Sequence, residues 1–202
     1  MRCRMEIKRC TYKDAEKLAY LVAPDLQAIY GHAAPWAQEW QRLRNKIGNI
    51  KFFFERTIIN NWSEVYLLYE NGHTVGCCGI SIVTEFEDYY AVGEIECNYI
   101  QRKYRNEAFS DQSLAFMENR LSELDYDKVC IWLLSNNEEL QDFYVKHNYE
   151  PDGKMRDVLC NAWLKKCRYS KWLPKPTHGL KTSDAATAVK ATAGIRDIFM
   201  SE

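Results

Sequence analysis

Two carboxylates two residues apart in one predicted strand are the first groups in this chain with chemistry in them. Residues 92–100 (VGEIECNYI) alternate so that Glu94, Glu96 and Asn98 fall on one face and Ile95, Cys97 and Tyr99 on the other. A central strand flanked by helices rarely carries two carboxylates on one face unless that face meets water. The pattern therefore predicts a cleft with Glu94 and Glu96 on its wall, placed to accept protons. Downstream, Asn137 stands ahead of a helix whose Leu140, Phe143, Tyr144 and His147 share one face. On residue type alone Asn137 is a helix N-cap and Tyr144 a packed aromatic. Between the two sets, QRKYRNEAF brings Arg102, Lys103 and Arg105 together, which by itself reads as a solvated loop.

The elements that must position these groups follow from periodicity. After the Glu94 strand and the basic loop, SDQSLAFMENRLSEL sets Leu114, Met117, Leu121 and Leu124 at helical spacing behind Ser110, the expected N-cap. KVCIWLL is a second strand, and Ser135-Asn136-Asn137 opens the next helix; two βα units in a row imply parallel strands. Upstream, MEIKRC is a strand and Thr11 to Asp14 a capping box, starting a helix with Ala15, Leu18, Ala19 and Val22 on one face that Pro24 is expected to end. A second helix is expected over about Pro35–Ile47, with Trp36, Trp40 and Leu43, and Gly48 as its C-cap. KFFFERTII fits helix or strand. Strand 64–69, the type I′ turn Asn71-Gly72 and HTVGCCGISIV form a hairpin, and acidic EFED leads to the Glu94 strand. Pro151-Asp152-Gly153 marks a turn, and segments around Val158 and Tyr169 a last antiparallel pair. The order is β-α-α-β-β-β-α-β-α-β-β, an α/β (α+β) chain with one domain over 1–172 and an Ala/Thr/Pro-rich tail over 173–202 that is either disordered or docks on a partner.

Composition narrows the class. At 202 residues, 47% hydrophobic and 13% aromatic, the chain can bury a sizeable core. A net charge of −1 and a pI near 6.4 give no basic footprint for nucleic acid. No apolar run reaches the roughly 18 residues of a membrane span, and MRCRMEIKR lacks the apolar core of a leader, so a cytoplasmic protein is expected. The eight cysteines include no CxxC pair and sit mostly in apolar runs, as free thiols do. Cys160 and Cys167 with His147 match no zinc spacing, so no metal is expected.

This order of elements resembles the GNAT superfamily of acetyl-coenzyme A-dependent N-acetyltransferases. The residues that carry the resemblance run from Tyr99-Ile100-Gln101-Arg102-Lys103-Tyr104-Arg105-Asn106-Glu107-Ala108-Phe109-Ser110 through Asn137 and Phe143-Tyr144 to Asn148-Tyr149. More loosely it extends from about Glu6 to Trp172. It implies a mixed central sheet of about seven strands flanked by helices. It implies acetyl-CoA as cosubstrate, held by the main chain of Tyr99 and Ile100, by the loop with Arg105, Asn106, Ala108 and Ser110, and by Asn137. It further implies Tyr144 as general acid toward the sulfur, Glu94 or Glu96 as general base, and an amine-bearing small molecule or peptide as acceptor, with a homodimer as a common assembly.

The chain departs from the family pattern in the pyrophosphate loop, where Ala108 and Ser110 replace two glycines and Asp111 adds negative charge at the expected helix start. Asn106 is the residue there best able to adopt a left-handed conformation. These departures keep open an alternative, a catalytically degenerate binding or regulatory module. At the helix exit Asn148 stands where the family has glycine, as a left-handed C-cap. On the acceptor side, Tyr30, Trp36, Trp40 and the run Glu85, Phe86, Glu87, Asp88, Tyr89, Tyr90 mix carboxylates with aromatics, which favours a cationic amine.

Overall fold

The structure, a computed structural model, describes residues 5–31, 46–87, 90–158 and 161–174. Strands β1 (Glu6–Arg9), β2 (Ser63–Glu70), β3 (His73–Glu87), β4 (Tyr90–Ile100), β5 (Lys128–Leu134), β6 (Glu150–Val158) and β7 (Asn161–Trp172) form one sheet in the order β1-β2-β3-β4-β5-β7-β6. Among the described residues only β4 and β5 pair in parallel; the other neighbours are antiparallel. Helices α1 (Ala15–Gly31) and α2 (Lys46–Ile59) precede β2, α3 (Glu107–Glu123) joins β4 to β5, and α4 (Glu138–Lys146) joins β5 to β6. From β2 onward the order of elements is the predicted one; before β2 the described second helix is α2 at Lys46–Ile59, not the one expected over about Pro35–Ile47.

Each face of the sheet carries a core. On one side Leu114, Met117 and Leu121 of α3 and Tyr144 of α4 pack on Leu68, Ile80, Ile95 and Val129. On the other, Leu18, Leu21 and Val22 of α1 and Phe53 and Phe54 of α2 pack on Val65, Leu67 and Cys77. Asn71 and Gly72 take φ of 50° and 79°, the pair of positive angles that a type I′ turn requires. Asn148 takes φ 65°, and the amides of Asn148 and Tyr149 return to the carbonyls of Val145 and Tyr144, closing α4 as a Schellman cap.

Four local expectations are corrected. The helix begun at Ala15 does not end at Pro24 but runs to Gly31; the proline is exposed, and it forfeits one amide donor on the side away from the buried Leu18, Leu21 and Val22. Gly48 lies inside α2 rather than capping a helix before it, and KFFFERTII is helical because Ile50, Phe53, Phe54 and Thr57 recur at helical spacing against α1. Residues 35–45 of the expected second helix lie outside the described residues, as does the tail from 175. Pro151-Asp152-Gly153 is no terminal turn but an irregularity within β6, between the pairs Pro151↔Tyr169 and Met155↔Cys167, with Gly153 at φ 82°. Finally α3 starts at Glu107, capped by Asn106, whose side chain accepts from the Phe109 amide at 2.9 Å; Ser110 is already in the first turn.

Candidate active site

The pairing of β4 with β5 stops short. Val92 to Ile95 pair with Lys128 to Ile131, and no registered pair follows, although β4 runs on to Ile100 and β5 to Leu134. β4 stays paired to β3 as far as Ile100↔Gly76, and β5 to β7 as far as Leu134↔Lys166. The two middle strands therefore part, leaving a wedge between 96–100 and 132–134.

A bulge in β4 at the same place changes which side chains face which way. Cys97 lies opposite Gly79 and Ile95 opposite Ile80, so Glu96 is an extra residue. Strict alternation had grouped Asn98 with the carboxylates. Instead Glu94 and Glu96 share the α1/α2 side with Cys97 and Tyr99, which pack on that core, whereas Asn98 turns to the α3 side and accepts from the Ser113 hydroxyl at 2.7 Å. The bulge thus divides the polar groups of one strand between the two faces at the mouth of the wedge.

On the α1/α2 side, burial pushes the Glu96 carboxyl up to about 8; the Ser63 hydroxyl and Arg156 oppose the rise, and the charge of Glu94 adds to it. Glu96 Oε2 has no hydrogen-bond partner in the structure. Glu94 is also raised by burial, against the pull of Arg156 foremost, whose Nη2 is 3.7 Å from Glu94 Oε1. The Arg156 guanidinium lies 4.2 Å from the centroid of Trp132.

On the α3 side, Tyr144 is 1% exposed, edge-on to Phe143 and Tyr149. Burial drives its hydroxyl well above the usual phenol range, opposed by a hydrogen bond with Asn98. Beyond the end of β4, Gln101 is tied to Val75 by its amide, a short 3-10 turn covers Arg102–Tyr104, and the exposed Arg102, Lys103 and Arg105 precede the start of α3. The opening amides of a helix lack intrahelical acceptors and attract anions. Glu107 and Asp111 would oppose an anion there, but Glu107 pairs with Lys146 and Asp111 with His147, both from the end of α4. No residue from 101 to 110 takes positive φ, and Asn106 itself is extended at φ −144°. Asn106 therefore serves by capping, not by a left-handed turn, and this loop meets no conformational demand for glycine. Beyond the end of β5, Asn137 caps α4 by accepting from the Leu140 amide at 3.1 Å.

The chain thus brings Glu94, Glu96, Tyr99, Ile100 and Tyr144 to the wedge, with Arg105, Asn106, Ala108 and Ser110 past one lip and Asn137 past the other. Sequence reading missed Asn98 as the partner of Tyr144, and it missed Trp132 and Arg156, which come from strands whose placement no local pattern reveals. Of the expected acceptor residues, Trp36, Trp40, Asp88 and Tyr89, with the side chains of Tyr30, Glu85, Phe86 and Glu87, lie outside the description. Tyr90 is exposed and edge-on to Trp172 at 4.7 Å. Among the described residues no group of three His, Cys, Asp or Glu could hold a metal, and no helix is long and apolar enough to cross a membrane.

The chain belongs to the acetyltransferase (GNAT) family, whose model matches residues 16–149 and whose cosubstrate is acetyl-CoA. No curated protein matches it in sequence. Its fold is similar to that of PaiA N-acetyltransferase from Thermoplasma acidophilum, solved with coenzyme A (15% identity, TM-score 0.63, 84% of this chain and 99% of that one). It is likewise similar to an N-acetyltransferase from Staphylococcus aureus Mu50 (18% identity, TM-score 0.57, 85% and 99%). A third similar fold is the spermidine/spermine N-acetyltransferase SpeG from Vibrio cholerae (10% identity, TM-score 0.59, 84% and 95%).

Proposed function

We propose that this protein transfers an acetyl group from acetyl-CoA to a primary amine of a small molecule or peptide, with Glu96 as general base, Glu94 holding the incoming ammonium, and Tyr144 as general acid. The observation that carries this reading is the parting of β4 from β5 after Ile95↔Ile131, with two raised carboxyls on one side and a buried phenol on the other. Acetyl-CoA supplies an acetyl group already activated as a thioester. The residues fit it: main chain of Tyr99 and Ile100 along the wedge, Arg105 and the α3 start for the pyrophosphate, Asn137 at the far lip. An amine reaches the site as an ammonium ion, and a carboxylate raised to about 8 is basic enough to take its proton near neutral pH. Burial keeps the proton on Tyr144 Oη, and the hydrogen bond with Asn98 eases its release toward the departing sulfur.

A cationic acceptor fits the pair Glu94 and Glu96, as far as its reacting ammonium goes. The degenerate-module reading rested on Ala108, Ser110 and Asp111; the all-negative φ values of the loop and the contact of Asp111 with His147 support the enzyme instead.

Calorimetric titration with acetyl-CoA is the test. Binding that weakens in Arg105→Ala, followed by amine-dependent thiol release, is expected; absence of binding up to about millimolar ligand would overturn the reading.

A further inference from the structure

We propose that the acceptor carries a carboxylate beside its amine, as an amino acid does, and that Trp132 and Arg156 form the subsite for that carboxylate. The inference rests on the acetyl-transfer reading above. Glu96 and Trp132 are the residues that follow the last paired positions, Ile95 and Ile131, on either lip of the wedge. Each leaves one buried polar atom without a hydrogen-bond partner, Oε2 of Glu96 and Nε1 of Trp132. A buried polar group left unpaired costs about 1–3 kcal/mol, and two of them on the opposing strands where the cleft opens point to a ligand that removes that cost. One orphan accepts when ionised and the other only donates, so together they match an ammonium next to an anion.

Arg156 supplies the charge for that anion. Its guanidinium is stacked 4.2 Å over Trp132, its Nη2 is 3.7 Å from Glu94, and the side chain keeps 25% of its exposure. A planar fork held against an indole is well suited to a carboxylate, which accepts two parallel N–H bonds. The next guanidinium along the same sheet face, Arg168, is 1% exposed and engaged by Asp152 at 2.6 Å. One stacked guanidinium plus one neutral N–H suits a singly charged carboxylate better than a doubly charged phosphate.

The test uses matched pairs that differ only by the carboxylate: L-lysine with cadaverine, L-histidine with histamine, L-phenylalanine with phenethylamine. Each is titrated calorimetrically into the full chain, with and without CoA, and each is assayed for acetyl transfer by thiol release. In at least one pair the carboxylated member is expected to bind about tenfold tighter, equivalent to about 1.4 kcal/mol. Arg156→Gln and Trp132→Phe are each expected to erase that difference while leaving acetyl-CoA affinity unchanged. The proposal is overturned if the decarboxylated member binds as well or better in every pair, if the preference survives both substitutions, or if no carboxylated amine binds at about 10 mM. Failure of acetyl-CoA to bind would sink the acetyl-transfer reading alone, because the titrations without CoA still decide the subsite.

Discussion

Nε2 of His147 stands 3.0 Å from Oδ1 of Asp111, and Nδ1 of the same ring stands 2.8 Å from the Phe143 carbonyl. The last turn of α4 is thereby fastened to the opening of α3, with Lys146 and Glu107 as a parallel tie. Lys146 offsets the charge of Glu107 at the helix end where the pyrophosphate is expected, and the His147 ring holds the Asp111 carboxylate. Charges near a helix terminus are worth about 0.3–1 kcal/mol, so His147→Ala, which leaves the Asp111 carboxylate unengaged beside the ligand, should weaken acetyl-CoA binding about two- to fivefold. Asp111→Asn should strengthen it by a similar factor, and in that background His147→Ala should change little. Titration calorimetry on the four proteins of this cycle checks the coupling.

Glu96 predicts two opposite pH trends. As a base it must be ionised, so kcat/KM should climb as pH rises toward about 8, and Glu96→Gln should lose about 10²–10⁴-fold in rate together with that limb.

For stability the sign reverses. The folded chain keeps a proton on Glu96 that the unfolded chain releases near 4.5, so stability falls as pH rises from there to about 8. Thermal melts of Glu96→Gln should therefore match wild type at pH 4 and exceed it above pH 8.

Glu64 behaves in the contrary sense. Its carboxylate, 5% exposed, takes a forked contact from Arg120 at 2.7 and 2.9 Å, with Tyr66 and Arg9 also on it, and is held at about 2, chiefly by the hydrogen bond from Arg120. That stabilisation is present above about 4.5 and lost as pH falls toward 2. Arg120→Ala should cost about 3 kcal/mol at neutral pH by stranding a buried charge, a deficit that shrinks in acid; urea unfolding at several pH values measures it.

Gly76 of β3 lies opposite Ile100, at the splayed end of β4. A Cβ there would stand 2.2 Å from the Tyr99 carbonyl oxygen, a main-chain atom that cannot swing aside. Gly76→Ala should cost about 1–3 kcal/mol and also weaken acetyl-CoA binding, since it displaces Tyr99 and Ile100. A melt and a titration on the same sample check both.

What the sequence discloses is what is decided locally. The Asn71-Gly72 turn, the Asn148 cap and the Thr11 to Asp14 capping box each depend on a few neighbouring residues, and each is found as read. Pro24 and Gly48 misled because burial of Leu18, Phe53 and Phe54 outweighs the local penalty of a breaker. Asn106 and Ser110 compete for one capping role, and only the geometry of the Phe109 amide decides between them. The bulge at Glu96 is a property of β4 against β3 rather than of β4, so alternation along β4 cannot disclose it. Trp132 and Arg156 meet across two strands that are not neighbours in the sheet, which no spacing along the chain encodes.

That bulge also limits how this protein can evolve. Because a single supernumerary residue decides that Glu94 and Glu96 serve one side while Asn98 serves the other, the strand tolerates a change of letter far better than a change of length. Selection can retune the two carboxylates one substitution at a time, yet a one-codon deletion between Ile95 and Ile100 would exchange the groups each side receives. Descendants of this chain that keep its chemistry should therefore vary in the letters of β4 but not in their number.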